Sequence, residues 1–170
     1  FFFTSSSASS WFQLNDNGPI AIKDGRHPLL DAFGTTPPVT NDTFLDGSAN
    51  FAIITGANMS GKTTYIKQVA LLTLMAHAGC VVPASFASFH RIERIFARTS
   101  VEDSIEENCS SFTLEMRETA FLCDHIGDCS SLVLIDELGR STGTLDGAGI
   151  AWGASRAAAA VAVVAAVVGC

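Results

Sequence analysis

Residues 56 to 63, Gly-Ala-Asn-Met-Ser-Gly-Lys-Thr, bring two glycines, a lysine and a hydroxyl together in one short loop. They fit the pattern G-x-x-x-x-G-K-[ST], in which glycine-permitted backbone curls its N–H groups around phosphate oxygens. Gly56, Asn58, Met59, Ser60, Gly61, Lys62, Thr63 and Thr64 are therefore the expected phosphate-cradling residues. A second chemical centre lies at Asp136 and Glu137, adjacent acids that end the run Ser131-Leu-Val-Leu-Ile-Asp-Glu137. A carboxylate there, with the Thr63 hydroxyl, suits Mg²⁺, which favours a few hard oxygen ligands beside substrate phosphates. Glu137, one residue on, is placed to orient or deprotonate an attacking water. The bland alternatives are a glycine turn that binds nothing and a strand that simply ends in a polar turn. Finding both motifs in one chain weighs against each.

Such groups need rigid elements behind them. Phe51-Ala-Ile-Ile-Thr55 reads as a buried parallel strand leading into the loop. Thr64 to His77 consists mostly of good helix formers, with Gly79 as a stop signal, so the loop opens onto a helix N-terminus that favours anions. The four apolar residues before Asp136 suit a central strand covered on both faces. Ile20–Lys23 and Arg91–Arg98 read as further strands, with residues 24–28, 34–38 and 46–48 as turns or loops. Residues 111–126 form a helix by the spacing of Leu114, Phe121, Leu122 and Ile126, and another helix opens near 147–152. Strands alternating with helices imply an α/β fold with a mainly parallel sheet.

Composition narrows the partners. A net charge of −7 over 170 residues argues against this segment being itself a DNA-gripping surface. The five cysteines show no C-x-x-C spacing and read as reduced thiols of an intracellular protein. No secretory signal is visible in the Phe/Ser-rich start. Residues 157–170 contain only Ala, Val, Gly and Cys, which is short for a membrane span. The expected organisation is a poorly ordered segment over 1–18, a nucleotide-binding domain over 19–153 and an Ala/Val low-complexity tail over 154–170, with a packed terminal helix as the alternative for the tail.

The order of motifs resembles the ATPase domain of the MutS family. Gly25-Arg-His-Pro28, Asn41-Asp-Thr43, the run Ile53-Ile-Thr-Gly-Ala-Asn-Met-Ser-Gly-Lys-Thr-Thr-Tyr65 and Asp136-Glu-Leu-Gly-Arg140 carry the resemblance, over roughly residues 20–152. It implies a P-loop NTPase domain of the ABC type, truncated at its C-terminus, that uses ATP and Mg²⁺ in a dimeric, DNA-binding nuclear protein. It also implies a composite site in which Ser110, in Asn108-Cys-Ser-Ser-Phe112, reaches the γ-phosphate held by a facing subunit. Left to the residues alone, Ser110 and Ser111 read as a helix cap.

Met59-Ser-Gly-Lys62, Ser48-Ala-Asn-Phe51, Pro38 and the acidic run 102–107 are similar to the meiotic MutS homologue four branch. That branch partners with MutS homologue five and acts on recombination intermediates, whereas other members serve mismatch repair. Ala57 stands where the family usually has proline, and Ser141 where it has glycine. Beyond Trp152 the next strand, the switch histidine and the dimer-fastening helices have no expected counterpart; none of His27, His77, His90 or His125 fits. The DNA-contacting domains would lie upstream. Three readings follow: an ATPase part of a larger dimer, an ATP-binding switch without turnover, or a non-functional piece of a faulty gene reading.

Overall fold

The computed structural model describes residues 11–98, 111–126, 129–139, 142–159 and 163–167. The chain divides into two compact units, Phe1–Ala49 with Thr64–Ile92, and Asn50–Thr63 with Glu93–Cys170.

The first unit is built on a mixed sheet. Its strands are β1 (Gln13–Asn15), β2 (Ile20–Gly25), β3 (Asn41–Leu45) and β5 (Phe86–His90), in the order β1-β5-β2-β3. β1 pairs with β5 in parallel, and β2 pairs antiparallel with both β3 and β5. β1 falls in the segment expected to be poorly ordered, and β3 and β5 fall in stretches to which the sequence assigns no element. Of the turn expected over 24–28, Asp24 and Gly25 end β2 and Pro28 opens the short helix α1 (Pro28–Phe33), where the His27 ring Nδ1 accepts from the Leu30 N–H at 3.4 Å. Burial pushes the His27 pKa down, the Lys67 charge adds to this, and the ring's backbone hydrogen bond opposes it.

Most of α2 (Lys62–His77) belongs to this unit. Ile66, Val69, Leu72 and Ala76 are buried at helical spacing, and Ile20, Ile22, Leu45 and Phe89 are buried in the same unit. The helix is tied to β3 by Tyr65 and Thr43, whose hydroxyls meet at 2.8 Å, and by Asn41 donating to Gln68 Oε1 at 3.2 Å. It stops as its sequence indicates. Gly79 takes φ 77°, and the N–H groups of Gly79 and Cys80 return to the carbonyls of Ala76 and Met75.

The second unit holds the parallel sheet. β4 (Phe51–Ile54), β6 (Arg94–Arg98), β7 (Ser131–Asp136) and β8 (Val163–Val167) lie in the order β4-β8-β7-β6, every pairing parallel. β7 is buried along its whole length, as its apolar run requires. β4 is less buried than expected, with Ile53 52% exposed, because it is the edge strand among those described. The helices are α3 (Ser111–His125) and α4 (Thr144–Ala159), the latter longer than its sequence suggested. Leu122, Ile126, Val133, Ile135 and Leu138 form the core, with Phe51, Phe96, Ala151 and Ala154 packed on it.

Two expectations change here. The Ala/Val run, set apart as a tail, supplies α4's last turns and strand β8, so a strand does follow Trp152. Its uncharged, valine-rich composition suits a strand hydrogen-bonded along both edges, a pattern that low complexity disguises. On α3, Phe121 is exposed and stacks on His125 at 4.1 Å, while the buried positions are Glu115, Thr119 and Leu122, with Ile126 buried just past the helix end. Among the described residues no helix is long and apolar enough to cross a membrane, and Cys80, Cys123 and Cys129 are free thiols.

Candidate functional site

β4 delivers the chain to Gly56, and α2 takes it up again at Lys62. Between them the backbone curls through two left-handed residues, Met59 at φ 62° and Gly61 at φ 95°. Ser60 N–H closes the curl on the Ala57 carbonyl at 3.2 Å. Asn58, Met59, Ser60 and Gly61 are exposed, so their backbone is open to a ligand, and Thr64 is exposed one position into the helix beyond Thr63. The buried Lys62 folds back over the loop, its Nζ donating to the carbonyls of Gly56 at 2.8 Å and Ala57 at 3.0 Å. No acidic residue stands in the first turn of α2, so no side-chain carboxylate there competes for its N-terminal N–H groups.

The second half of the site is the end of β7. The Thr63 hydroxyl donates to Asp136 Oδ2 at 2.7 Å, joining the two motifs directly. Asp136 is fully buried, and its other oxygen, Oδ1, has no hydrogen-bond partner. A buried carboxylate oxygen left so is costly unless a cation or donor meets it. One carboxylate and one hydroxyl fit Mg²⁺, which takes its remaining ligands from phosphates and water; among the described residues no cluster of three His, Cys, Asp or Glu side chains offers an alternative metal site. Glu137, half-buried, sits at φ 50°, a conformation unusual for a side-chain-bearing residue.

The turn continues to Gly139 at φ 86°. A Cβ there would lie 2.6 Å from the Gly147 carbonyl oxygen, so both torsion and space demand glycine. The structure brings Thr63 and Asp136 together, and it surrounds this turn with side chains the motifs did not indicate. Glu115 Oε1 accepts from Gly139 N–H at 2.7 Å and pairs with Arg98 Nη2 at 3.2 Å. Arg98 Nη1 donates to the Asp136 carbonyl at 3.2 Å, and its Nε faces Glu118 Oε2 at 3.2 Å as an ion pair without hydrogen-bond alignment. The strand itself offered no clear signal, because Arg98 is one of two arginines in β6 and only burial distinguishes it from the exposed Arg94. Ser110, Arg140, Ser141 and the acidic run 102–107 lie outside the described residues.

A strand, a phosphate-type loop, a helix and a strand ending in two acids recur together in one kind of domain. The sequence model of MutS domain V matches residues 52–167, and the chain belongs to the MutS family. The match runs through β8, past the point near Trp152 where the motifs alone were expected to end.

Within the family the likeness is to MutS homologue 4. The chain is 44% identical over 140 residues to the DNA mismatch repair protein MSH4 of Arabidopsis thaliana, which covers 82% of this chain and 17% of that protein. It is 48% identical to MutS protein homolog 4 of Homo sapiens and 49% identical to that of Mus musculus, each over 133 residues, 78% of this chain and 14% of the relative. The chain thus spans between 14% and 17% of the length of these curated relatives.

Proposed function

We propose that residues 56–64, with Asp136 and Glu137, form the Mg-ATP site of a P-loop NTPase domain of the ABC type. The observation that carries this reading is the Thr63–Asp136 bond at 2.7 Å beside the orphaned Oδ1 of Asp136, at the start of a 16-residue helix. Backbone N–H groups of Gly56, Asn58, Met59, Ser60, Gly61 and Thr64 cradle the phosphates. Lys62 exchanges its two loop carbonyls for phosphate oxygens. Thr63 and Asp136 would hold Mg²⁺, which when bound would supply positive charge to offset that of the phosphates. Glu137 orients the water for in-line attack, so catalysis is mainly positioning and charge stabilisation.

The domain takes in β8 as well as residues 19–153. The chain is the nucleotide-responsive part of a nuclear, DNA-bound MutS-family protein acting in meiotic recombination or mismatch repair. The likeness to MutS homologue 4 proteins and the motif likeness support that role, and the DNA contacts belong to other domains. The partner is a second MutS-family subunit, by likeness MutS homologue five, and Ser110 reaches the nucleotide of that facing subunit.

The test is Mg-ATP binding by this chain beside Lys62→Ala. Saturable binding that the substitution abolishes is expected. Binding that survives it unchanged, or no binding by the unsubstituted chain, would overturn the reading.

A further inference from the structure

Two backbone groups flank Glu137, the Asp136 carbonyl before it and the Gly139 N–H after it, and both are taken by one buried ion pair. Arg98 Nη1 donates to the Asp136 carbonyl at 3.2 Å, and Glu115 Oε1 accepts from Gly139 N–H at 2.7 Å. Arg98 and Glu115 hold each other at 3.2 Å, with side chains 14% and 4% exposed. Glu118 adds a second carboxylate at 3.2 Å to the same guanidinium. The pair thus spans the turn like a bracket, anchored on β6 and α3.

Stability alone does not account for it. A buried ion pair loses about as much in desolvation as its attraction returns, and a hydrophobic pair of similar volume often serves as well. What a hydrophobic pair cannot do is grip a carbonyl and an N–H at once. The gripped turn holds a non-glycine residue in left-handed torsion, at φ 50°, which persists only where its surroundings over-determine it. Arginine also matters by shape. Its planar fork addresses Glu115 and the Asp136 carbonyl from different nitrogens, which a lysine point charge cannot reproduce.

We infer that Arg98 and Glu115 are positioning residues that fix the backbone carrying Asp136 and Glu137, and so set how well the site takes Mg²⁺. The inference rests on the Mg-ATP reading above. It predicts a defect confined to the metal-dependent part of nucleotide binding, because the described contacts of both residues gather at the acid turn and on α3.

The experiment uses the whole 170-residue chain with a fluorescent ATP analogue, titrated in EDTA and then with Mg²⁺. The main variant is Arg98→Met with Glu115→Gln, which removes both charges together and keeps an oxygen for Gly139 N–H. Its metal-free affinity should stay within about twofold, while half-saturating Mg²⁺ rises about tenfold, the scale of one lost charge-assisted hydrogen bond. Arg98→Lys, which keeps the charge and loses the fork, should fall between, at about threefold. It also carries the test should the double variant fail to fold.

A folded variant with an unchanged Mg²⁺ requirement overturns the inference. So does an equal loss of metal-free and metal-dependent binding, which would mark the pair as general scaffolding. In both cases the unsubstituted chain still binds Mg-ATP and the site reading stands. If the unsubstituted chain binds no nucleotide, the site reading fails and this inference fails with it.

Discussion

The phosphate loop and the acid turn share an oddity and differ in how it is supported. Each contains two left-handed residues, Met59 and Gly61 in the loop, Glu137 and Gly139 in the turn. Around the loop there is little protein: Met59 is fully exposed, and a Cβ built on Gly61 meets nothing within 4 Å. Around the turn there is almost nothing else: Asp136 is fully buried, Leu138 is 8% exposed, and Gly139 touches Gly147 backbone on one side and Glu115 on the other. Strain in the loop is left for a ligand to offset. Strain in the turn is offset by the fold before any ligand arrives. One half of the site adapts and the other is preset.

The sharpest way to break this contrast is the same substitution in both halves. Gly139→Ala meets a left-handed φ and the Gly147 backbone together, and should cost about 3 kcal/mol or more of unfolding free energy in denaturant titration. Gly61→Ala has the torsion without the clash, and should cost about 1 kcal/mol. Equal losses would mean that the turn is no better supported than the loop.

Next in size is Lys62→Ala, expected to weaken nucleotide binding about 100-fold by removing a charged donor to phosphate, with little change in unfolding. Asp136→Asn should separate the halves in the opposite sense. It keeps an oxygen for the Thr63 hydroxyl and removes a buried charge, so the unfolding midpoint should hold or rise while Mg²⁺-dependent affinity drops about tenfold. A matching loss of metal-free binding would show that the acid also shapes the loop.

The smallest effect lies outside both halves and gives a baseline. The folded-state pKa of His27 is below its usual 6.5, so the folded chain binds fewer protons than the unfolded one on acidification. Stability is therefore full above pH 6.5 and declines as pH falls below it, until the folded-state pKa is passed. His27→Asn keeps a side-chain acceptor at the α1 cap and should flatten that slope in thermal melts between pH 7 and 5. An unchanged slope would assign it to other groups.

The halves were also unequally legible in the sequence. The loop could be read because glycines, Lys62 and Thr63 must stand at fixed spacing, between an apolar run and a helix with its Gly79 stop. Asp136 and Glu137 could be read from the four apolar residues before them. The bracket around them could not. An acid at Glu115 counts as surface in any hydrophobic period, and only the fold brings it to Arg98 and Gly139. In the other unit, β3 and β5 escaped notice because their buried positions include Thr43 and Ser88, polar residues that blur the alternation. β8 escaped because Ala/Val repetition resembles a tail until strands on either side need a partner. Ser110 was expected on the strength of resemblance, and its residues lie outside those described.

Strand β8 has a consequence in time. It lies between β4 and β7, so among the described residues the strand before the loop at 56–63 has no neighbour in its sheet until residues 163–167 have been made. At ribosomal speeds of about 5–20 residues per second, the roughly 110 residues between them take on the order of ten seconds to synthesise. Through that interval the apolar strand Phe51–Ile54 lacks its described partner, the state in which an unpaired strand edge is most exposed to wrong pairing. The loop over residues 56–63 is encoded early, and the sheet behind it is completed late.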